Sequence, residues 1–559
     1  MHEIIRRQPS PGCHTIIVDM DAKPKGTAVF VFPSAAGHVS PSLPLCTRLV
    51  IDGWKVDYVA VDQFKDAIEG TGATYHSRNE IGRAHGGYED LQAILVKSAF
   101  EDYADAGARQ WGPNFGSATT ARLVPMFLAW LGARPVRPSV IVYCPVLCPA
   151  AHFAGLKLNI PTISLLTAAG PGYMDAAFDR HCGGHTAAQA AARGLMQTVS
   201  ANAANAAAIA RLRTLLDRPD LELNTVPGHP TCHEYYSEVN LVSTVRAMAD
   251  GMWEENAQFY EERGVAFEYV GPLQPEGEEA ASATVAAGLS AAQTANLFAR
   301  VDQAINEGRR ICYVSLGTVL TSTAASAEHG WLGTSGTALT GKAMCQAVYR
   351  AVFRELGGAD SSDGGKPLLI ISVGPEADAV STAEVGEVPA NAVCVPAVPQ
   401  VQLLHKAAAG LALVLTHGGQ NTFMEALAVG APLVVCPGFG DQIANGARAK
   451  DMGVGVVVPR PLVKADKEGM QGQAGPSDAL TGARAAEHDA AVPPEVNYEE
   501  AVAAGVREVF GAGHFAERAV AVAVGLKQAG GTKRAAELVA QVVQRAGGAG
   551  TSKTNEKQH

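Results

Sequence analysis

Long apolar runs are missing from this chain. No stretch reaches the roughly eighteen residues needed to span a bilayer. Basic runs are missing as well: none of five or more residues occurs, the net charge is −11 and the pI lies near 5.8. That balance argues against a nucleic-acid partner. Cysteine is sparse, with 10 in 559 residues and no CxxC pair, which excludes a disulfide framework. Cys312, Cys394 and Cys436 sit inside apolar runs and read as reduced core residues. His181, Cys182 and His185, with His229, Cys232 and His233, have zinc-ligand side chains, but their spacing matches no standard zinc pattern. The first fifteen residues lack the apolar core of a signal peptide and the last dozen are polar. The expectation is a soluble, cytoplasmic protein.

What is present is a globular α/β composition, 47% hydrophobic and 18% charged, on a chain too long for one ordinary domain. Its most organised stretch covers residues 395–458. The run 410–416 (GLALVLT) has the length and branching of a buried parallel strand. It ends in His417-Gly418-Gly419-Gln420-Asn421-Thr422, and a helical pattern (FMEALAVG) starts at once. Glycines let a ligand come close to the backbone, while first-turn N–H groups and the helix dipole favour a phosphate there. A second run, 431–437 (APLVVCP), leads into Gly438-Phe439-Gly440-Asp441-Gln442. Polar side chains at the C-terminal ends of neighbouring parallel strands are where open α/β sheets bind ligands.

The Pro399-Gln400 pair, the HGG-x-N turn, Glu425 on the following helix and the Asp441-Gln442 pair occur in that order over about forty residues. Together they resemble the donor-binding signature of the family 1 UDP-glycosyltransferases, the macrolide and plant-type group. The resemblance implies a GT-B fold: two Rossmann-like parallel-sheet domains facing a cleft. It covers roughly residues 27–546. Domain limits follow from composition and from the resemblance. Residues 1–273 form the acceptor domain and 274–292, acidic and turn-rich, the linker. Residues 293–530 form the donor domain, with a low-complexity insertion at 459–494. Residues 531–547 are a helix crossing back to the first domain, and 548–559 a disordered tail. Membrane-bound relatives end in an anchor helix, whereas this C-terminus is polar.

The first half opens with a strand pattern at 27–33 (TAVFVFP), a turn containing Gly37, His38 and Pro41, a helix and a second strand at 55–61, a βαβ beginning. The GH-x-x-P turn resembles the family's N-terminal motif, in which the histidine is the general base on the acceptor hydroxyl. An imidazole suits that task because its pKa lies near the working pH. An aspartate normally orients it. At the corresponding strand end, after residues 139–143, this chain has Cys144. Asp62 as a substitute, His38 working alone, and impaired catalysis all remain open. Aromatic residues of 62–135 and 167–235, among them Phe64, Tyr75, Tyr88, Trp111, Phe115, Phe127, Trp130, Tyr173, Tyr235 and Tyr236, suit either an apolar acceptor cavity or ordinary core.

On the donor side the resemblance assigns Ser315 and Thr318 of an S-L-G-T turn to the diphosphate. Val398 backbone and Gln400 go to the base and ribose, and Glu425 to the ribose hydroxyls. His417, Gly418, Gly419, Asn421 and Thr422 hold the diphosphate, and Asp441 and Gln442 the sugar. Val398 stands where plant members often have a stacking tryptophan. The implied reaction is inverting transfer of a hexose from a nucleotide diphospho-sugar, UDP-glucose first, to a hydroxyl of a small lipophilic acceptor. No metal or cofactor is implied. Alternatives are a non-catalytic sugar-nucleotide-binding protein and a sugar-nucleotide epimerase of the same fold. Residues 319–339 form an unusually long Thr/Ser/Gly-rich loop of the kind that covers sites.

Overall fold

The computed structural model describes residues 24–86, 117–275, 289–359, 365–461 and 494–555, apart from 183, 202, 224–232, 325, 335 and 336. The first 23 residues, the bulk of the linker and nearly all of the 459–494 insertion lie outside the described residues.

Two parallel sheets carry the chain. The first contains β1 (Thr27–Val31), β2 (Lys55–Ala60), β3 (Thr74–Ser77), β4 (Val140–Tyr143), β5 (Thr162–Leu166), β6 (Val239–Val242) and β7 (Ala266–Tyr269), in the order β3-β2-β1-β4-β5-β6-β7. The second contains β8 (Ile311–Ser315), β9 (Leu368–Ser372), β10 (Ala392–Val395), β11 (Leu411–Thr416), β12 (Leu433–Val435) and β13 (Gly455–Val457), in the order β10-β9-β8-β11-β12-β13. Strands such as β1 and β8 are buried at every position, as continuous apolar strands are when helices cover both sheet faces. β3 and β13 go beyond the sequence expectation: TYHS in the first is polar, and the second has only 3 residues in a glycine-interrupted stretch.

Each sheet reverses its strand order once, between β1 and β4 in the first and between β8 and β11 in the second. Register pairs Val31 with Tyr143, and Thr416 with both Ser315 and Val435. The turn after β1 therefore stands beside the turn after β4. The glycine turn after β11 is likewise flanked by the turns after β8 and β12. These switch points, outside the C-terminal strand ends, are the ligand positions of an open α/β sheet.

The halves are tied together in several places. Asp250 accepts from Arg448 at 2.7 Å, a pair only 8% and 13% exposed. Asn421 Nδ2 donates to the Gly37 carbonyl at 3.0 Å. The last helix, α1 (Gly531–Asn555), follows the second sheet in sequence but contributes Ala535, Ala536, Leu538 and Val539 to the core of the first. It continues to Asn555, past the expected end at 547, through GGAGTSKTN. Only residues 556–559 of the expected tail fall outside the described ones. Among the described residues no single helix is long and apolar enough to cross a membrane, and the cysteines are free thiols.

Candidate functional site

The glycine turn is dictated by space. Gly418 has φ of 83°, and a Cβ there would lie 2.7 Å from Val435 Cγ1 and 3.0 Å from the Gln442 carbonyl. Cβ atoms on Gly317 or Gly419 would each come within 2.4 Å of His417 Nε2, so the imidazole is seated between two bare backbones. Thr416 Oγ1 accepts from the Gly418 N–H at 3.1 Å, and Asn445 Nδ2 donates to the Gly418 carbonyl at 2.8 Å. These bonds hold the turn open at the N-terminus of α2 (Gln420–Ala428), whose dipole and first-turn N–H groups favour an anion; the Gln420 N–H already donates to the Asp441 carboxylate. Burial lowers His417 to about 4, partly offset by its bond to the Ser315 backbone, so the ring is neutral at pH 7. Of the S-L-G-T turn, Ser315 is buried and Thr318 is exposed. Thr422 is buried and Asn421 half-buried.

Gln400 has a role sequence alone does not show. Its Oε1 accepts from Tyr313 Oη at 2.9 Å, and its Nε2 donates to Thr422 Oγ1 at 3.1 Å and to Glu425 Oε2 at 2.5 Å. The amide thus orients the carboxylate of Glu425 instead of standing free for a nucleotide base. Burial raises Glu425 to about 7, opposed by the Gln400 bond. The Val398 side chain is 7% exposed and packs in the core with Met248 and Leu297. Gln442 is likewise turned inward, accepting from the Gly438 and Phe439 N–H groups at 2.9 and 3.2 Å. Asp441 faces solvent, yet the surrounding protein raises its carboxyl, with Asp250 adding to the effect and backbone N–H groups opposing it. Gln420, the unnamed position of HGG-x-N, is buried with an unpartnered Oε1. In the long loop, Thr323 donates through N–H and Oγ1 to Glu376, and the His329 ring stacks on Phe439 with centroids 4.3 Å apart.

Across the cleft, His38 sits in the short helix Ala36–Val39 after β1. Its Nδ1 lies 3.0 Å from Thr167 Oγ1 and 3.3 Å from Cys144 Sγ. Thr167, just beyond β5, carries no motif that would have flagged it. Asp62 is engaged elsewhere, accepting from Tyr75 at 2.6 Å and Ser77 at 2.5 Å. Burial lowers His38 to about 4 and holds the Cys144 thiol above its ordinary value, so both are neutral at pH 7. With Nδ1 facing the hydroxyl and the thiol, Nε2 is the nitrogen left for a ligand proton. The Asn421–Gly37 bond brings this histidine's helix against the glycine turn.

Of the candidate pocket aromatics, Phe64, Phe127, Trp130, Tyr235 and Tyr236 are buried, Tyr75 and Tyr173 half-buried, and Tyr88, Trp111 and Phe115 lie outside the described residues. Among the described residues no group of three His, Cys, Asp or Glu side chains is placed to hold a metal. His229 and Cys232 fall outside them.

Residues 371–495 match the family model described as erythromycin biosynthesis protein CIII-like, C-terminal domain. An uncharacterized UDP-glucosyltransferase, YojK of Bacillus subtilis, is 27% identical over 175 residues, 31% of this chain and 33% of that protein. The match thus spans about a third of that relative's length. The crystal structure of the glycotransferase of kitacinnamycin aligns over 93% of this chain and 99% of its own, with TM-score 0.54 and 20% identity. Os79 from O. sativa, solved in complex with UDP, aligns over 93% and 100% with TM-score 0.52 and 19% identity. The fold is GT-B, and the resemblance to the family 1 UDP-glycosyltransferases stands on these matches together with the signature itself.

Proposed function

We propose that this GT-B chain, similar to the family 1 UDP-glycosyltransferases, transfers a hexose from a nucleotide diphospho-sugar to a hydroxyl of a small lipophilic acceptor, with inversion. The observation that carries the reading is the junction across the cleft. Asn421, on the anion-binding helix end, bonds the carbonyl of Gly37, next to His38. That bond supports a reading in which His38 is the base and the helix end the diphosphate cradle, the pairing an in-line displacement needs.

In this reading the α2 N-terminus with Gly418, Gly419, Asn421 and Thr422 receives the diphosphate, aided by Ser315, Thr318 and His417. Glu425, held by Gln400, accepts the ribose hydroxyls of a UDP donor, as one carboxylate can accept two. Asp441 meets the sugar hydroxyls, while Gln442 shapes the loop that presents it. The acceptor oxygen attacks the anomeric carbon, its proton passes to His38 Nε2, and the carbon–oxygen bond to the diphosphate breaks. Oriented N–H groups stabilise the charge on the departing nucleotide, the role a divalent ion plays in other designs. The proposed activity is accordingly metal-independent.

A second reading, a sugar-nucleotide-binding protein without turnover, is favoured by one observation: the ring of His38 is backed by a neutral thiol and a hydroxyl in place of a carboxylate. Incubation with UDP-glucose and a mixed panel of phenols and alcohols, with and without EDTA, separates the two by mass spectrometry. Glycosylated product that survives chelation is expected. Binding of UDP with no product on any acceptor favours the second reading, and loss of product on chelation with recovery on adding manganese overturns the metal-free mechanism.

A further inference from the structure

Arg78 begins the short helix that follows β3 and is only 3% exposed. Its guanidinium makes no hydrogen bond or ion pair with any described residue, and its Nε is buried with no partner. A guanidinium keeps its charge at every physiological pH. A buried charge with no counter-ion among the described residues is strongly destabilising, and a carboxylate brought by a ligand would relieve that cost.

Among the described residues the nearby anions do not serve. Asp62 takes its hydrogen bonds from Tyr75 and Ser77 and has Arg83 and Lys65 as charged neighbours. Asp57 is bridged by Arg134 and His76. Glu80 points to solvent. The positive charge is felt at Cys148, but burial pushes that thiol up to about 11 and leaves it neutral near pH 7.

The sheet order locates the charge: Arg78 follows β3 and His38 follows β1, two strands away in the same parallel sheet, with Cys148 beyond β4 on the other side. The Cys148 N–H donates to the Cys144 carbonyl at 2.9 Å. Cys144 Sγ in turn lies 3.3 Å from His38 Nδ1. The guanidinium therefore belongs to the same C-terminal edge of the first sheet as the proposed base. Phe64, Ile81 and Phe127 are buried in the core cluster that includes Cys144 and Cys148.

We propose that Arg78 anchors a carboxylate of the acceptor, so that the acceptors are small lipophilic acids carrying a hydroxyl, with the acid at Arg78 and the hydroxyl at His38. This rests on the transferase reading above. The planar fork of arginine matches a carboxylate with two parallel N–H···O bonds, and a dry surrounding strengthens them. The carboxylate is an anchor and is not consumed; the hydroxyl remains the nucleophile.

The test compares para-hydroxybenzoate with its methyl ester, which keeps the hydroxyl and removes the charge. With UDP-glucose, wild-type protein should show a KM for the acid about ten- to hundredfold below that for the ester, the size of a charge-assisted bond. Arg78→Gln should erase that ratio and Arg78→Lys restore part of it. Binding is read separately. The acid should raise the melting temperature of wild type and not of Arg78→Gln, while Arg78→Gln without ligand should melt no lower than wild type because an unpaired buried charge has gone. Ester used or bound as well as acid by wild type overturns the proposal. So does an Arg78→Gln protein that melts well below wild type, since Arg78 is then structural. Acid binding that depends on Arg78, with UDP-glucose never turned over, leaves the anchor standing and sinks the transferase reading instead.

Discussion

Replacing Cys144 by aspartate changes one contact at the proposed base. Its Sγ is 3.3 Å from His38 Nδ1. A carboxylate at this position, slightly longer than the thiol, closes that gap to about 2.7–2.9 Å, the length of a charge-assisted hydrogen bond. His38 is held near 4 by burial, with no counter-charge to oppose it. A carboxylate in contact raises such an imidazole by roughly 1–3 pKa units, which stabilises the imidazolium by about 1.4–4 kcal/mol. If about half of the proton has moved at the transition state, half of that gain acts on the rate, giving roughly a 3- to 30-fold increase. The gain belongs to aliphatic alcohols, which need the base most, and shrinks for phenols, which ionise readily. Thr167 Oγ1, 3.0 Å from the same nitrogen, offers the new carboxylate a donor that limits its burial cost. The assay is kcat/KM on benzyl alcohol and on phenol with UDP-glucose, beside an NMR titration of the His38 ring in a variant shown to be folded. A ring that titrates higher with no gain on the alcohol refutes His38 as the base.

Two further outcomes concern Glu425. Glu425→Gln should weaken UDP binding by about 1–3 kcal/mol, the cost of losing a hydrogen bond to a charged acceptor, and unchanged calorimetric affinity would remove Glu425 from the nucleotide site. The same variant tests the buried carboxyl by pH. Its folded value near 7 lies above the ordinary 4.5, so the fold holds the proton more tightly than the open chain does. Stability from this group is therefore complete below about 4.5 and is lost as pH rises toward 7. Denaturant melts of the empty protein should show wild type losing up to about 3 kcal/mol relative to Glu425→Gln over that window, and parallel curves would mean the carboxyl is not perturbed.

The strands that run apolar from end to end were legible in the sequence, as were the glycine turn and the position of Cys144, because each rests on a local pattern. β8 and β11 announce themselves by their apolar runs, and the turn His417 to Thr422 by its glycines, of which Gly418 has φ of 83°. What was not legible depends on distant partners. Gln400 looks like a nucleotide ligand in a dipeptide, yet Tyr313, Thr422 and Glu425, from other elements, turn it into a prop for a carboxylate. Gln442 caps its own loop through Oε1. Thr167 and Arg78 sit in unremarkable local sequence, and only the sheet order brings them to the strand ends near His38.

The last helix has a mechanical consequence. The polypeptide leaves the first sheet after β7, builds the second, and returns in α1 to a place beside its point of departure: the Gly531 N–H bonds the Val270 carbonyl at 2.8 Å, and Thr532 Oγ1 bonds the Gln274 carbonyl at 2.6 Å. The returning helix thus lands beside Val270 and Gln274, where the first half ends. A swing of one half over the other leaves this crossing in place, because α1 is packed into the first core. Severing the linker between Gln274 and Ser290 would leave the pieces clasped, because α1 remains bonded to one half and embedded in the core of the other.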